Sequence, residues 1–482
     1  MSNIANIKLA GVSYAVKDAK ANRVFDTFND VIDSVNNGEL FAGEYVRTLG
    51  YKNVDDDGGS YYSIVSNNGD LNAGNLMAKL NNENCANVKA FGASGDGVSD
   101  DTTPIRKAFS SMKPYIFLPA GKYVTTTFPE MKNKIIFSNG GVEITFTGTR
   151  SGNITNCIFK GISIATHGTL VTYNTTFDSC NISHFNPNNY IILIENHNGE
   201  LKFINSTLSG SAVSSEHIGT MFGIWSDNTS AIVNKVTCIN SVFSHFILNA
   251  VFTGTATTKI SKCHFSYCHT QTDPNGGGCI DSKGGNAVIT DSIFELAGGA
   301  STAGVEGEGA QFTICGNVFN NIPVPIALQG GEGHVVCSNY INGGQYLLST
   351  AEAVFNGNYI RNITVNSVPT GATNKFITFT GNANVSNTDI ISGKQYFIRH
   401  AQTCAVVLKQ NQELLITVPK SAVITLTNKS SGQSCAYLLH RTTLTKLYGD
   451  ADTAVTVTAS ATLTISILCS TADKYLEIGV NN

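Results

Sequence analysis

Two acidic residues occupy matching places in consecutive stretches of this chain. Cys279-Ile280-Asp281 and Gly304-Val305-Glu306 are short apolar segments ending in an acid. Each is followed by a small-residue turn and then by a second segment that closes on an aromatic, Phe294 or Phe319. As neighbouring strands of one sheet, the two stretches would hold their carboxyl groups about 4.8 Å apart. Like charges that close raise one pKa, so one acid stays protonated for donation while the other stays ionised. Such a pair is equipped to cleave a glycosidic bond: a separation of ~5 Å suits retention and ~6.5–9.5 Å suits inversion. Asp227, paired with Glu306 or Asp281, is the candidate for the wider geometry.

The segments that must position these acids share a pattern. Leu193-Ile194-Glu195, Gly223-Ile224-Trp225, Ala250-Val251-Phe252, Ile326-Ala327-Leu328 and Tyr346-Leu347-Leu348 align with the two above, each with an apolar middle residue. Side chains alternate along a strand, so Ile194, Ile224, Val251, Ile280, Val305, Ala327 and Leu347 are expected to point inward and the third residues to solvent. The outward face then carries Glu195, Trp225, Phe252, Asp281 and Glu306, with Lys283 and Glu308 two residues further on. Flat aromatic rings can stack on the apolar faces of sugars. The candidate catalytic residues are therefore Asp281, Glu306 and Asp227, and the candidate substrate contacts are Trp225, Phe252, Glu195, Lys283 and Glu308. A plainer reading stands beside this one, in which the acids are solvated, Lys283 makes a surface ion pair worth little and Trp225 meets a partner chain. Glu216, His217, Glu332 and His334 are read as loop and turn residues.

The segment endings recur at Phe159, Phe177, Leu208, Phe243, Phe265, Phe294, Phe319, Tyr340 and Tyr359. Their mean spacing of about 25 residues, with short strands and Gly/Asn/Ser turns between them, is the signature of a solenoid. No single copy can bury its apolar face alone, so each must stack on its neighbours. The chain is therefore expected to be all-β, a parallel β-helix, with the markers forming an interior row. A β-propeller would need four antiparallel strands per blade at more regular periods.

Composition narrows the function classes. The 482 residues are 42% hydrophobic and only 14% charged, which describes an ordered β-rich chain. A net charge of −4 without a basic run argues against nucleic acid as a partner. Met1 to Lys20 lacks the basic and apolar regions of a secretory signal, and no apolar run reaches the ~20 residues of a membrane span. Of the 12 cysteines, Cys157, Cys238, Cys263, Cys315 and Cys337 fall in repeat strands, where small hydrophobes are expected and disulfides are not. Cys263, Cys268 and His269 lack a second ligand pair for zinc, and no cofactor is implied.

Residues before about 87 differ in texture. Val24, Phe25, Phe28, Val31, Ile32 and Val35 stand at helical spacing, so a helix is expected over Ala21 to Val35, stopping at Asn36-Asn37-Gly38. Glu44 to Val65 reads as β with a tight turn at Asp55 to Gly59, and that acidic run lacks the alternation of a calcium loop. Asp100, Asp101 or Thr102 is expected to cap a helix whose first turn contains Pro104 and that closes the open end of the solenoid. After Tyr359, alternating Val/Thr/Leu segments such as Val423 to Thr427 suit antiparallel strands.

Three segments carry a resemblance. Gly11 to Lys20 resembles the opening of structural proteins of phages that infect Gram-positive bacteria, and Tyr45 to Tyr51 with Asp57 to Tyr62 is similar to the small β-module of phage tail spikes. Val88-Lys89-Ala90-Phe91-Gly92-Ala93-Ser94-Gly95-Asp96-Gly97-Val98-Ser99-Asp100-Asp101-Thr102, continued by Pro104 to Phe109 and Ile116 to Tyr123, resembles the opening of the pectate-lyase-like right-handed β-helices. That superfamily includes many tail spikes and polysaccharide depolymerases. The resemblance implies a virion protein with an attachment module for the phage tail or baseplate (1–86), a right-handed parallel β-helix (87–375) and a C-terminal β-domain for trimerisation or glycan binding (376–482). It also implies a homotrimer whose partner is a bacterial surface polysaccharide. The chain departs from the pectinolytic branch, because Gly333-His334-Val335 is only a fragment of the polygalacturonase series. Endo-hydrolysis is the favoured activity, with a non-catalytic receptor-binding spike and a polysaccharide lyase as alternatives.

Overall fold

The computed structural model describes residues 6–9, 12–15, 23–81, 84–185, 190–194, 199–211, 222–226, 235–268, 278–295, 303–308, 311–328, 330–331, 333–344, 348–349 and 353–363, and strands within 377–481. Three all-parallel sheets of 13, 13 and 10 strands make up a right-handed parallel β-helix. Each coil gives one strand to each sheet, as Phe312–Cys315, Val318–Asn320 and Val324–Leu328 do in turn. By contact density the chain divides into Met1–Leu170 with Thr175–Asn181, and Val171–Asn174 with Ile182–Asn482. No helix among the described residues is long and apolar enough to cross a membrane.

In the first unit, α1 spans Phe28–Asn36. Its start is set by a capping box, in which Thr27 Oγ1 accepts from the Asp30 N–H while the Asp30 carboxylate accepts from the Thr27 N–H. The helical spacing read from Ala21 therefore begins too early. Arg23–Phe25 is a strand beside Tyr45–Thr48, and Val24 is 57% exposed. In the acidic turn, Asp56 accepts the backbone N–H groups of Tyr51, Lys52, Asn53 and Gly58. Burial pushes its carboxyl up, but these four bonds outweigh burial and hold it below the usual range.

The second helix, α2, spans Thr102–Ser110 and buries Ile105, Ala108 and Phe109. The Phe109 ring meets Phe128 edge-on at 5.7 Å, and Phe128 meets Phe146 at 5.7 Å, so the helix continues the aromatic interior of its coils. Of the three candidate caps, Asp100 accepts from the Thr102 N–H. Asp101 holds the N-cap position, but its buried side chain turns away to accept from the Ser94 and Gly95 N–H groups.

In the second unit, each corner between the first and second sheets has one left-handed residue followed by a buried inward one. Asn205, Asn240, Lys262, Asp291, Gly316, Ser338 and Gly357 take positive φ, and Ser206, Ser241, Cys263, Ser292, Asn317, Asn339 and Asn358 follow them. The corner N–H groups point along the solenoid axis, where the next coil's side chain accepts them. Cys263 N donates to Ser292 Oγ at 3.1 Å, Ser292 N to Asn317 Oδ1 at 2.9 Å, Asn317 N to Asn339 Oδ1 at 2.9 Å and Asn339 N to Asn358 Oδ1 at 3.0 Å. The amides also donate, Asn339 Nδ2 reaching Asn358 Oδ1 and the Ile314 carbonyl. The corner thereby satisfies backbone groups that the sheets leave out.

The marker row is confirmed from Leu208, the register partner of Phe243, to Phe319 and corrected at both ends. Phe243, Phe265, Phe294 and Phe319 are successive register partners, with stacked rings 5.0, 4.8 and 4.7 Å apart. Phe159 and Phe177 pair in the first sheet instead, because a coil has inward places on more than one sheet. Tyr340 stands one residue early, since Phe319 pairs with Ile341, and Tyr340 and Tyr359 stack on each other at 5.3 Å outside the row. The expectation of no disulfide is also corrected: Cys315 and Cys337 are bonded. They are register partners in adjacent strands, with Cα atoms 4.7 Å apart, inside the range a disulfide spans. The C-terminal strands are largely antiparallel, as in Gln402–Leu408, Lys474–Asn481, Ala422–Asn428, Ser434–His440 and Thr443–Gly449.

Two outcomes follow from this packing. Asn339→Ala strips acceptors from the Asn317 N–H and amide and a donor from Ile314, so denaturant unfolding is expected to show a loss of about 2–4 kcal/mol. Peptide mapping under non-reducing conditions is expected to recover Cys315 and Cys337 as one crosslink and Cys157, Cys238 and Cys263 as free thiols.

Candidate active site

The acids stand on the third sheet, whose strands include Phe222–Ser226, Val251–Thr253, Gly278–Ser282, Ala303–Gly307, Val324–Leu328 and Leu348–Ser349. Apolar residues at alternate positions fix which way each strand faces. Ile224, Val251, Ile280, Val305 and Ile326 are register partners and fully buried. The opposite side carries Trp225, Phe252, Asp281, Glu306 and Ala327 in one column, and Leu193 and Leu348 are the register partners at its two ends.

The expected column therefore holds at its centre and shifts at its edges. Ile192, not Ile194, pairs with Ile224, so Leu193 takes the place expected for Glu195. Ile326, not Ala327, lies in the inward row, and Ala327 takes the place expected for Leu328. Glu195, Asp227, Glu216, His217, Glu332 and Leu347 lie outside the described residues. His334 is a fully buried strand residue whose Nδ1 accepts from the Phe312 N–H and whose Nε2 donates to the Gly330 carbonyl, so it anchors the turn as a neutral imidazole.

The expectation that Asp281 and Glu306 face solvent is corrected. Asp281 is 3% exposed and Glu306 2%. Phe252 precedes them in the column and Ala327 follows, so both carboxyls lie between apolar neighbours. The sheet ladder runs on past the strand ends, with Lys283 N donating to the Thr253 carbonyl and Glu308 N to that of Ser282. This places Lys283 beside Glu308 in the next coil. The ammonium lies 2.5 Å from Glu308 Oε1 and 3.6 Å from Asp281 Oδ2, and these two side chains form the wetter margin of the cluster, 34% and 41% exposed.

Asp281 Oδ1 is buried without a hydrogen-bond partner among the described residues. An ionised carboxylate there would be costly, and the group answers by keeping its proton. Burial pushes the Asp281 carboxyl up from its ordinary 3.8 to about 7, against Lys283 and with help from Glu306 and Glu308. Burial alone would lower the Lys283 ammonium, but Glu308, Asp281 and Glu306 outweigh it and hold Lys283 above its ordinary value. Among the described residues no group of three or more His, Cys, Asp or Glu converges as metal ligands would, and Lys283 fills the place between Asp281 and Glu308 that a cation would take.

Trp225 and Phe252 stack face to face, 4.0 Å apart and 10° from parallel. Each therefore spends one face on the other, and that face cannot meet a sugar.

These features define a parallel β-helix with a buried carboxyl pair, a lysine bridge and an aromatic pair in one column. No protein-family model matches the chain, and no curated protein does. Among solved structures it is similar to the tailspike protein of Acinetobacter phage vB_ApiP_P1, with a TM-score of 0.43 and 13% identity over 95% of this chain and 98% of that one. It is also similar to tailspike protein gp49 of Acinetobacter baumannii bacteriophage Fri1, a capsular polysaccharide depolymerase, with a TM-score of 0.41 and 11% identity over 95% and 98%. The catalytic unit of a thermostable α-1,3-glucanase from Streptomyces thermodiastaticus gives a TM-score of 0.39 and 12% identity over 65% and 73%. At such identities no site residue transfers from one chain to another.

The buried proton has a thermodynamic signature. Between pH 3.8 and about 7 the folded chain holds a proton on Asp281 that the unfolded chain has released, so this group's contribution to stability falls as pH rises through that window. Asp281→Asn removes the slope. Its unfolding free energy, followed by denaturant titration, is expected to gain on the parent between about pH 4 and about pH 8, by an amount on the order of 2–4 kcal/mol. A parent that instead gains on the variant as pH rises would show Asp281 ionised and bonded to Lys283.

Proposed function

We propose that this chain is a tailspike-like depolymerase that cleaves a bacterial surface polysaccharide by hydrolysis at Asp281 and Glu306. The observation that carries the reading is that register places two buried carboxyl residues in adjacent strands and one of them holds its proton near neutrality. Asp281 donates its proton to the glycosidic oxygen as the bond to the anomeric carbon breaks. Strand spacing of about 4.8 Å suits the ~5 Å separation of a retaining pair. Glu306 accordingly attacks the anomeric carbon and forms a glycosyl ester. Asp281, now ionised, takes a proton from the water that hydrolyses this ester, and both carboxyls return to their starting states.

The charge of the cluster favours hydrolysis over β-elimination. A lyase must neutralise the carboxylate of a uronic acid and supply a neutral base, whereas here Asp281, Glu306 and Glu308 surround one lysine whose proton is held by ion pairs. By the same charge balance, the bond that is cut joins sugars without an acidic group at that point. In this reading residues 1–86 attach the protein to the phage tail, the solenoid works as a homotrimer at the host surface, and residues 376–482 assemble the trimer or bind glycan.

Incubating the protein with capsule or wall glycan of candidate hosts tests the proposal. Asp281→Asn and Glu306→Gln are each expected to lower release of reducing ends by at least ~10²-fold. Trp225→Ala is expected to raise KM more than it lowers kcat. Unsaturated products would point to the lyase instead. Binding without any cleavage would leave a receptor-binding spike.

A further inference from the structure

Glu308 stands outside the proton transfers just described, yet it is the residue that holds Lys283. The contact at 2.5 Å is a charge-assisted hydrogen bond, while 3.6 Å to Asp281 Oδ2 is beyond hydrogen-bond reach. One ammonium thus has two carboxyls to choose from, and the ladder bonds from Lys283 N and Glu308 N fix the choice by setting the two side chains abreast. We propose that Glu308 is a positioning residue: by capturing Lys283 it keeps that ammonium from hydrogen-bonding Asp281, so that Asp281 remains the proton-bearing member of the carboxyl pair.

The inference rests on the reading of Asp281 as the acid, and it names what poises that acid. Among the described residues, the groups around Asp281 account for its state. The strand before it offers the uncharged Phe252, and the strand after it offers Glu306, with Glu308 in the turn beyond. Its own strand carries the Cys279 thiol, which is engaged with Cys268, and Lys283 follows just past the strand end. Lys283 is the one cation in this set. Its ammonium already lies 3.6 Å from Asp281 Oδ2 and acts to lower that carboxyl, and a direct hydrogen bond would lower it further, so how closely Lys283 is held decides whether Asp281 keeps its proton.

The test reads the Asp281 titration in the full-length protein in two ways. One is the pH midpoint of the stability difference between each variant and the same variant carrying Asp281→Asn. The other is the alkaline limb of the depolymerisation profile. Glu308→Gln frees Lys283 to bond Asp281 and is expected to move both midpoints down by about 1 unit, while Lys283→Met is expected to move them up. The deciding arm is Glu308→Gln in the Lys283→Met background, where the downward shift is expected to be lost. A shift that persists there at full size would mean that Glu308 acts by its own charge, and positioning would be overturned. Unmoved midpoints in both single variants would overturn it as well. Full depolymerisation by Asp281→Asn would remove the hydrolase reading, while the stability midpoints would still decide whether Glu308 governs the proton.

Discussion

Parallel register is the constraint on which this molecule depends. Each coil lies about 4.8 Å from the next, and whatever one coil puts at a given place is met there by its neighbours. Inside, this stacks phenylalanine on phenylalanine and asparagine on asparagine, both favourable pairings. Outside, the same rule stacks Asp281 on Glu306, which is unfavourable while both are charged. A solenoid can hold such a pair only by withholding a charge from it, and burial under apolar neighbours makes that withholding strong. The chemistry of the site is thus a consequence of the architecture.

How much of this was legible in the residues differs from strand to strand. The central column of Trp225, Phe252, Asp281 and Glu306 was readable because each segment has one unmistakable inward aliphatic before it. At Val324–Leu328 the strand is buried on both sides, so alternation vanishes and nothing in Ile326-Ala327-Leu328 marks which residue faces in. Tyr340 deceived for a related reason: an aromatic beside an isoleucine can take either side of the strand. The helix start was legible in principle, since Thr27 and Asp30 are a capping box, but apolar spacing from Val24 onward pointed further back.

Two properties were not legible at all. Burial of Asp281 and Glu306 depends on the whole fold around one face of the sheet, and no local pattern reports it. The Cys315 and Cys337 bond depends on coil length, because only a chain that returns after one turn brings those two residues abreast. Charged partners were easier. Lys283 and Glu308 were named because they follow the acids by two residues, and the ladder bonds explain why that offset survives beyond the strand ends.

The corner between the first and second sheets has a further consequence, for how such a chain can change. From Asn205 to Asn358 it keeps one length, a left-handed residue and an inward polar or small one, and its hydrogen bonds run from coil to coil. The variable lengths of chain flank the third sheet, leading into it between Ser209 and Phe222, Cys268 and Gly278, and Glu295 and Ala303, and out of it between Ser226 and Lys235. Lengthening or replacing those connections leaves the corner untouched. Folding information and variation in chain length are carried by different edges of the same coil, so descendants of this chain are free to explore new surfaces on the third-sheet side without renegotiating how they fold.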